Sequence, residues 1–459
     1  GFECPVTVMG GGKDNTLPSV RKAFYEYIES ISVPAPLRFQ YNSWYDYMKD
    51  ITEQNIMTSF TEVHKQLTHY GAPELAAYVV DDGWPDVKAG FWSFNKKFPN
   101  KLTNVTALCK EMGSKFGLWL GPRGGYTRPD KIAKRYQRAG NGYLNKEARD
   151  ICVASTKYIE KLGDFLVETT NEFDIDYWKL DGFCLKPCLN EKHDHMVGGY
   201  EDMYFATDMW QKWIALYDKL RAAKPDIWIN MTCYVNVSPW WLQWVNSLWV
   251  QNSGDIGFAK NLENQAQVDK EITYRDARYF DCLCTRALQI PLKNLYNHEP
   301  IYGNTAHVDY TDEEFEKYIY WCTVRGQALN ELHLSVNMMN ESKWTSLAAA
   351  MNWQKDNYHI LQNAQFIGGN PEENNIYGYI SWDGDDGVIA LRNPTDEETS
   401  LTLTLNKLMG APEELQDAKR FNVYCKSLEE TDETYAYNSK MDLTMKPFEI
   451  MIFKIGKEK

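Results

Sequence analysis

The sequence has no run approaching the roughly 18 apolar residues that a membrane-spanning helix needs, and no basic segment followed by an apolar stretch opens it. It lacks a positive surplus: 49 Lys and Arg stand against 63 Asp and Glu, for a formal net charge of −14. Nucleic acids and anionic membranes recruit basic patches, so neither is an expected partner. There is no cysteine framework either. The 10 Cys are scattered, and 459 residues can bury a core without covalent staples. A glycine-rich phosphate loop, internal repeats and low-complexity linkers are all missing. The chain opens Gly-Phe-Glu-Cys rather than on Met, which reads as a processed product or a piece of something longer. A secreted or periplasmic location is then favoured, with its signal outside this chain. The sequons at Asn104, Asn230, Asn236 and Asn340 are about as many as chance supplies and do not settle the compartment.

What is present is an ordinary packed composition, 44% apolar and 24% charged, enriched in 16 Trp and 29 Tyr. From Leu37 to Ala364 short apolar runs alternate with helical stretches, as in β/α folds. Strands are expected at Leu37–Trp44, Ala76–Val80, Lys115–Leu120, around Trp178, at Ile227–Met231, Ser247–Gln251, Ile290–Leu295 and Glu331–Val336. Eight strands separated by helices predict an α/β fold, a (β/α)8 TIM barrel. After a helix over Thr345–Leu361 the pattern changes to β-branched runs and Asp/Gly turns, predicting a C-terminal antiparallel β-sandwich. The expected division is a lead-in over 1–36, a barrel over 37–365 and a sandwich over 370–459.

Polar residues gather at the carboxyl ends of the expected strands: Trp44, Asp81, Asp82, Trp119, Lys179, Asp181, Cys233 and Asp255. Barrel enzymes build their sites on that face. Each residue singly also fits a bland role, a helix cap, a turn or a salt bridge; their concentration favours a site. No His is expected at these ends, which argues against acyl transfer with a His base. Several carboxylates, one lysine and large aromatics suit a neutral polyhydroxylated ligand. Glycoside hydrolysis needs two carboxyl groups, one of them an acid with a raised pKa.

Five motifs in order carry a resemblance: Tyr41-Asn42-Ser43-Trp44, Val79-Val80-Asp81-Asp82-Gly83-Trp84, Lys97-Phe98-Pro99-Asn100, Lys115-Phe116-Gly117-Leu118-Trp119 and Asp176-Tyr177-Trp178-Lys179-Leu180-Asp181. Over Leu37–Leu361 the chain resembles glycoside hydrolase family 36 (clan D), the microbial α-galactosidases and α-N-acetylgalactosaminidases. The resemblance implies a retaining exo-α-glycosidase acting on carbohydrate by double displacement, without cofactor or metal. It implies Asp181 as nucleophile and Asp255 as general acid/base. Asp81 and Asp82 would grip O4 and O6 of the sugar, Lys179 would donate to ring hydroxyls, and Trp44 and Trp119 would wall the site. Cys233 would lie near C2. Lys179 would keep Asp181 ionised, and Trp249 would raise the pKa of Asp255 by desolvation.

Departures from the family pattern fall at Leu120-Gly121-Pro122-Arg123-Gly124-Gly125, at Thr232-Cys233-Tyr234-Val235-Asn236-Val237 and at Gly254. The second leaves open whether a 2-hydroxyl or a 2-acetamido group is read. A transglycosylase of the raffinose-synthase kind and a binding protein without catalysis remain alternatives. Cys184, Cys188, His193 and His195 cluster just past Asp181 in the spacing Cys-x3-Cys-x4-His-x-His. That matches no zinc pattern, so loop residues or a local disulfide are expected there.

Overall fold

The computed structural model describes residues 6–183, 188–199, 201–233, 237–250, 252–429 and 431–457, with Phe183 and Cys233 as backbone only. Helix α1 (Leu17–Ile31) leads into β1 (Arg38–Asn42), α2 (Glu53–His69), β2 (Ala77–Val80), α3 (Thr103–Glu111), β3 (Lys115–Leu120) and α4 (Pro129–Arg138). A two-residue hairpin ladder pairs Leu144 with Ile151. Then come α5 (Thr156–Phe173), β4 (Ile175–Phe183), α6 (Met203–Ala223), β5 (Trp228–Cys233), β6 (Ser247–Trp249) and α7 (Gln267–Phe280). The short strands β7 (Leu295–Tyr296) and β8 (Ile301–Tyr302) precede α8 (Asp312–Thr323), β9 (Leu329–Leu334) and α9 (Glu341–Leu361).

The hydrogen-bonded order is β8-β9-β1-β2-β3-β4-β5-β6-β7, all parallel. Its two ends, β7 and β8, are consecutive in the chain. They are two pieces of one seventh strand, interrupted at Asn297-His298-Glu299-Pro300, and the sheet is therefore a (β/α)8 barrel. Its strands are buried on both faces, which explains their continuous apolar reading. Strand β4 shows the logic. Ile175, Tyr177, Trp178 and Leu180 are all buried, and the Trp178 indole donates to Thr170 of α5. Burying an aromatic of that size contributes roughly 2–3 kcal/mol. The seventh strand lies beyond the expected Ile290–Leu295, because Pro291 and a short helical turn at Leu292–Asn294 occupy that stretch.

Beyond α9, β10 (Gln365–Gly368), β11 (Tyr377–Asp383), β12 (Asp386–Arg392), β13 (Thr399–Thr404), β14 (Ala418–Tyr424), β15 (Thr434–Tyr435), β16 (Lys440–Met445) and β17 (Ile450–Gly456) form two antiparallel sheets. One has the order β10-β11-β12-β17-β14-β15 and the other is the pair β13-β16. Ile389, Leu391, Met451, Phe453 and Ile455 from the first pack with Leu403, Met441, Leu443 and Met445 from the second. No helix among the described residues is long and apolar enough to cross a membrane.

Candidate active site

The carboxyl end of β4 presents Asp181, and three donors from three elements converge on it. The Trp119 indole nitrogen of β3 donates to Oδ2 at 2.9 Å. The Tyr126 hydroxyl and the Thr232 hydroxyl of β5 each lie 2.7 Å from Oδ1. A carboxylate held on both oxygens in this way has one orientation. Tyr126 is 51% exposed and reaches Asp181 from the turn after β3. Gly182 keeps that approach open. Its φ is +75°, and a Cβ there would stand 3.2 Å from the Tyr126 hydroxyl.

Lys179 points to the same side of β4 as Asp181. Its ammonium is buried and 2.8 Å from Asp81 Oδ2 rather than on Asp181. Asn42 of β1 donates to the same Asp81 oxygen at 2.9 Å, and the Asp82 amide donates to Oδ1 at 2.8 Å. Asp81 thus accepts three hydrogen bonds from within the protein. Burial would lower the Lys179 pKa, but Asp81, Glu331 and Asp181 together push it up. Glu331 of β9 is held down to about 2: burial opposes this, and Lys179 and His333 outweigh it.

Asp82, the next residue, is pushed the other way. Burial raises its carboxyl to about 6, against the pull of Lys49, 3.2 Å away. Lys49 also bonds Thr127, next to Tyr126. Trp119, expected as a wall, is fully buried and acts as a donor to Asp181. Trp44 is half-buried in the turn after β1, its amide held by Asn42 at 2.8 Å. The side chain of Cys233 lies outside the described residues, as do Cys184 and Asn236.

Asp255 sits past the end of β6 on irregular backbone, with its side chain 44% exposed. The surprise is its partner. His298, from the break in the seventh strand, brings Nδ1 to 3.2 Å of Asp255 Oδ1. The expectation that Trp249 raises the Asp255 pKa is corrected. Desolvation does push it up, but His298, Lys179 and Arg275 together hold it well below the usual carboxylate range. Trp249 instead packs on His298, ring centroids 4.7 Å apart. The expectation of no His at the strand ends is likewise corrected by His298 and by His333 on β9.

The backbone around Asp255 is held by Arg275 of α7, which donates to Ser253 Oγ and to the Asp255 carbonyl. Arg275 pairs with Glu299 at 2.9 Å, and Arg325 bridges Glu299 to Asp276. Tyr377 and Tyr379 of β11 both donate to Asp276 at 2.7 Å. This buried relay ties the C-terminal sheet to the Asp255 loop, and sequence reasoning missed it. Arg275 lies on a helix rather than a strand end. The available signal was α7 itself, whose Asp269, Glu271, Arg275 and Asp276 are too many charges for a helix that also buries Val268, Ile272 and Tyr279.

Two side-chain clusters bring metal-ligand types together among the described residues. In His298, Glu331 and His333 the carboxylate is already engaged by Gln40, Tyr296 and the Lys179 charge. Cys152, Cys188, His193 and His195 form the other. A groove of about 600 Å³ between α1 and the C-terminal sheets shares no residue with the strand-end cluster.

No model of a known protein family matches the sequence, and no curated protein is similar to it at the sequence level. Solved structures are similar in fold. A substituted form of GH36 α-galactosidase AgaA from Geobacillus stearothermophilus, in complex with 1-deoxygalactonojirimycin, superposes with a TM-score of 0.68 at 15% identity over 96% of this chain. A second substituted form of AgaA, in complex with raffinose, gives 0.68 at 15% over 97%. The α-galactosidase from Lactobacillus brevis gives 0.67 at 12% over 96%. The chain spans 58–59% of the length of those proteins. At such identities the likeness establishes the fold: a TIM barrel followed by a C-terminal β-domain.

Proposed function

We propose that this chain is a glycoside hydrolase that removes terminal α-linked galactose-configured sugars by double displacement. The observation that carries the reading is the convergence at one barrel mouth of Asp181, oriented by three donors, and Asp255, paired with His298. The Lys179 charge acts on both carboxyl groups. The galactose-configured ligands of the structural neighbours support the substrate class. We further read 37–365 as the catalytic barrel and 370–459 as its structural partner.

In this reading an Asp181 oxygen attacks the anomeric carbon as the bond to the leaving oxygen breaks, and the leaving oxygen takes a proton from the Asp255–His298 pair. Water then attacks the glycosyl–Asp181 ester, returning its proton to the pair and releasing Asp181. Asp82 accepts hydrogen bonds from sugar hydroxyls, and Lys179 contributes a donor that Asp81 does not use.

Two assays test this. Hydrolysis of p-nitrophenyl α-galactoside is measured beside p-nitrophenyl α-N-acetylgalactosaminide; turnover of either supports the reading, their ratio assigns the C2 preference, and turnover of neither overturns it. Proton NMR should detect the α-anomer first, whereas an initial β-anomer would mean inversion.

A further inference from the structure

We propose that Cys152, Cys188, His193 and His195 form a closed tetrahedral site for a structural zinc ion. Each offers one ligand atom, and the four atoms lie within 4.8 Å of one another. Cys152 Sγ is 3.1 Å from His195 Nε2, and Cys188 Sγ is 3.3 Å from His193 Nδ1. Zinc at ~2.3 Å from sulfur and ~2.0 Å from nitrogen sets its ligands roughly 3.3–3.8 Å apart, so small adjustments seat the ion. The spacing near Cys188 alone shows no complete ligand set. The fold supplies the second thiol from 43 residues before His195.

The surroundings are those of a ligand set. The far ring nitrogen of His195 is engaged: its Nδ1 lies 2.7 Å from the Met196 carbonyl. Metal-binding imidazoles are oriented in this way. Tyr143 stacks on His193 with centroids 4.4 Å apart, and its carbonyl accepts from the Cys152 amide. Both thiols are buried. Two thiolates would neutralise a divalent ion, and the soft donor set selects zinc over magnesium or calcium. Four protein donors leave no open position for water, so the ion is structural.

The site also has a consequence, which rests on the functional reading above. Cys188 follows the strand that carries Asp181. Cys152 follows the hairpin whose Ile151 amide and Asp150 carboxylate hold Arg123, just before Tyr126. Zinc would clamp the chain beyond the nucleophile to the support of the turn that orients it.

The test is metal analysis of the full chain, purified without chelator after growth with added zinc. One zinc per chain is expected, absent from Cys152→Ser and His195→Ala and retained in His298→Ala. Zinc removal should lower Tm whether or not the protein turns over a glycoside, and cobalt reconstitution should give the intense thiolate charge-transfer absorption of a tetrahedral site. Wild-type protein that neither carries nor takes up zinc or cobalt would overturn the proposal, as would a Cys152–Cys188 disulfide found by mass spectrometry. Zinc retained in both cluster variants would overturn it too. If the variants do not fold, wild-type stoichiometry and the cobalt spectrum decide.

Discussion

The two halves of the barrel mouth are built on different principles. Asp181 ends a regular strand and is oriented directly, by side chains of β3, β5 and the turn at Tyr126. Asp255 stands on irregular backbone and is placed indirectly, through Arg275 on its own carbonyl and His298 on its carboxylate. One half is local to the sheet. The other depends on buried ion pairs that run back to Tyr377 and Tyr379 in the C-terminal sheet. In the proposed roles, a nucleophile needs a fixed trajectory, whereas an acid/base group must exchange a proton with two different oxygens. Rigid seating for one and an exposed, charge-tuned seat for the other suit those tasks.

The sharpest way to break the comparison is to remove each carboxyl in turn. Asp181→Ala should lower kcat by at least about 10⁴-fold for every substrate, with partial recovery on adding azide or formate. Loss confined to poor leaving groups would place Asp181 in the other role. Asp255→Asn should cost about 10²–10⁴-fold on raffinose-like substrates and far less on p-nitrophenyl glycosides, whose leaving group needs little protonation. Equal losses on both would contradict the acid/base assignment.

The supporting groups come next. Thr232→Val removes a donor from Asp181 and should cost about 1–2 kcal/mol of transition-state stabilisation, roughly tenfold in kcat/KM, with a modest fall in Tm because the buried Gly182 amide also loses its acceptor. A large fall in Tm would make Thr232 a folding residue instead. His298→Asn removes the largest influence holding the Asp255 carboxyl down. Its titration, followed by carbon NMR of labelled aspartate, should move up toward the ordinary value of 3.8; no movement would leave the pairing without effect.

The smallest effect belongs to Asp82. Its folded pKa of about 6 exceeds the ordinary 3.8. The folded state therefore binds this proton more tightly than the unfolded chain, and the contribution of Asp82 to stability declines as pH rises through that window. Binding should run the other way, because the ionised form accepts hydroxyl protons. kcat/KM should rise through about pH 6 in wild type, and Asp82→Asn should remove that limb while flattening the stability slope.

Much of this is legible in the sequence, and the reason is periodicity. Parallel barrel strands are short apolar runs, and their polar terminators (Asp81, Asp82, Lys179, Asp181) follow immediately in the chain. The seventh strand escapes that reading because its two pieces hold only two residues each. With it goes His298, which the Leu295-Tyr296-Asn297-His298 run places at a strand end. Contacts between distant segments are out of reach. Nothing in the spacing near Asp255 announces Arg275, and nothing near Cys188 announces Cys152. The direction of the Asp255 shift fails for a related reason: one desolvating Trp is visible nearby in sequence, and the cations that outweigh it are not.

The central claim is that Asp181 becomes covalently glycosylated. Incubation with a 5-fluoro-α-galactosyl fluoride, followed by digestion and mass spectrometry, tests it directly. A single added fluorogalactosyl group on the peptide carrying Trp178-Lys179-Leu180-Asp181 is the predicted result. Turnover of α-galactosides with a label on Asp255 or another residue, or with no covalent species at all, would contradict it.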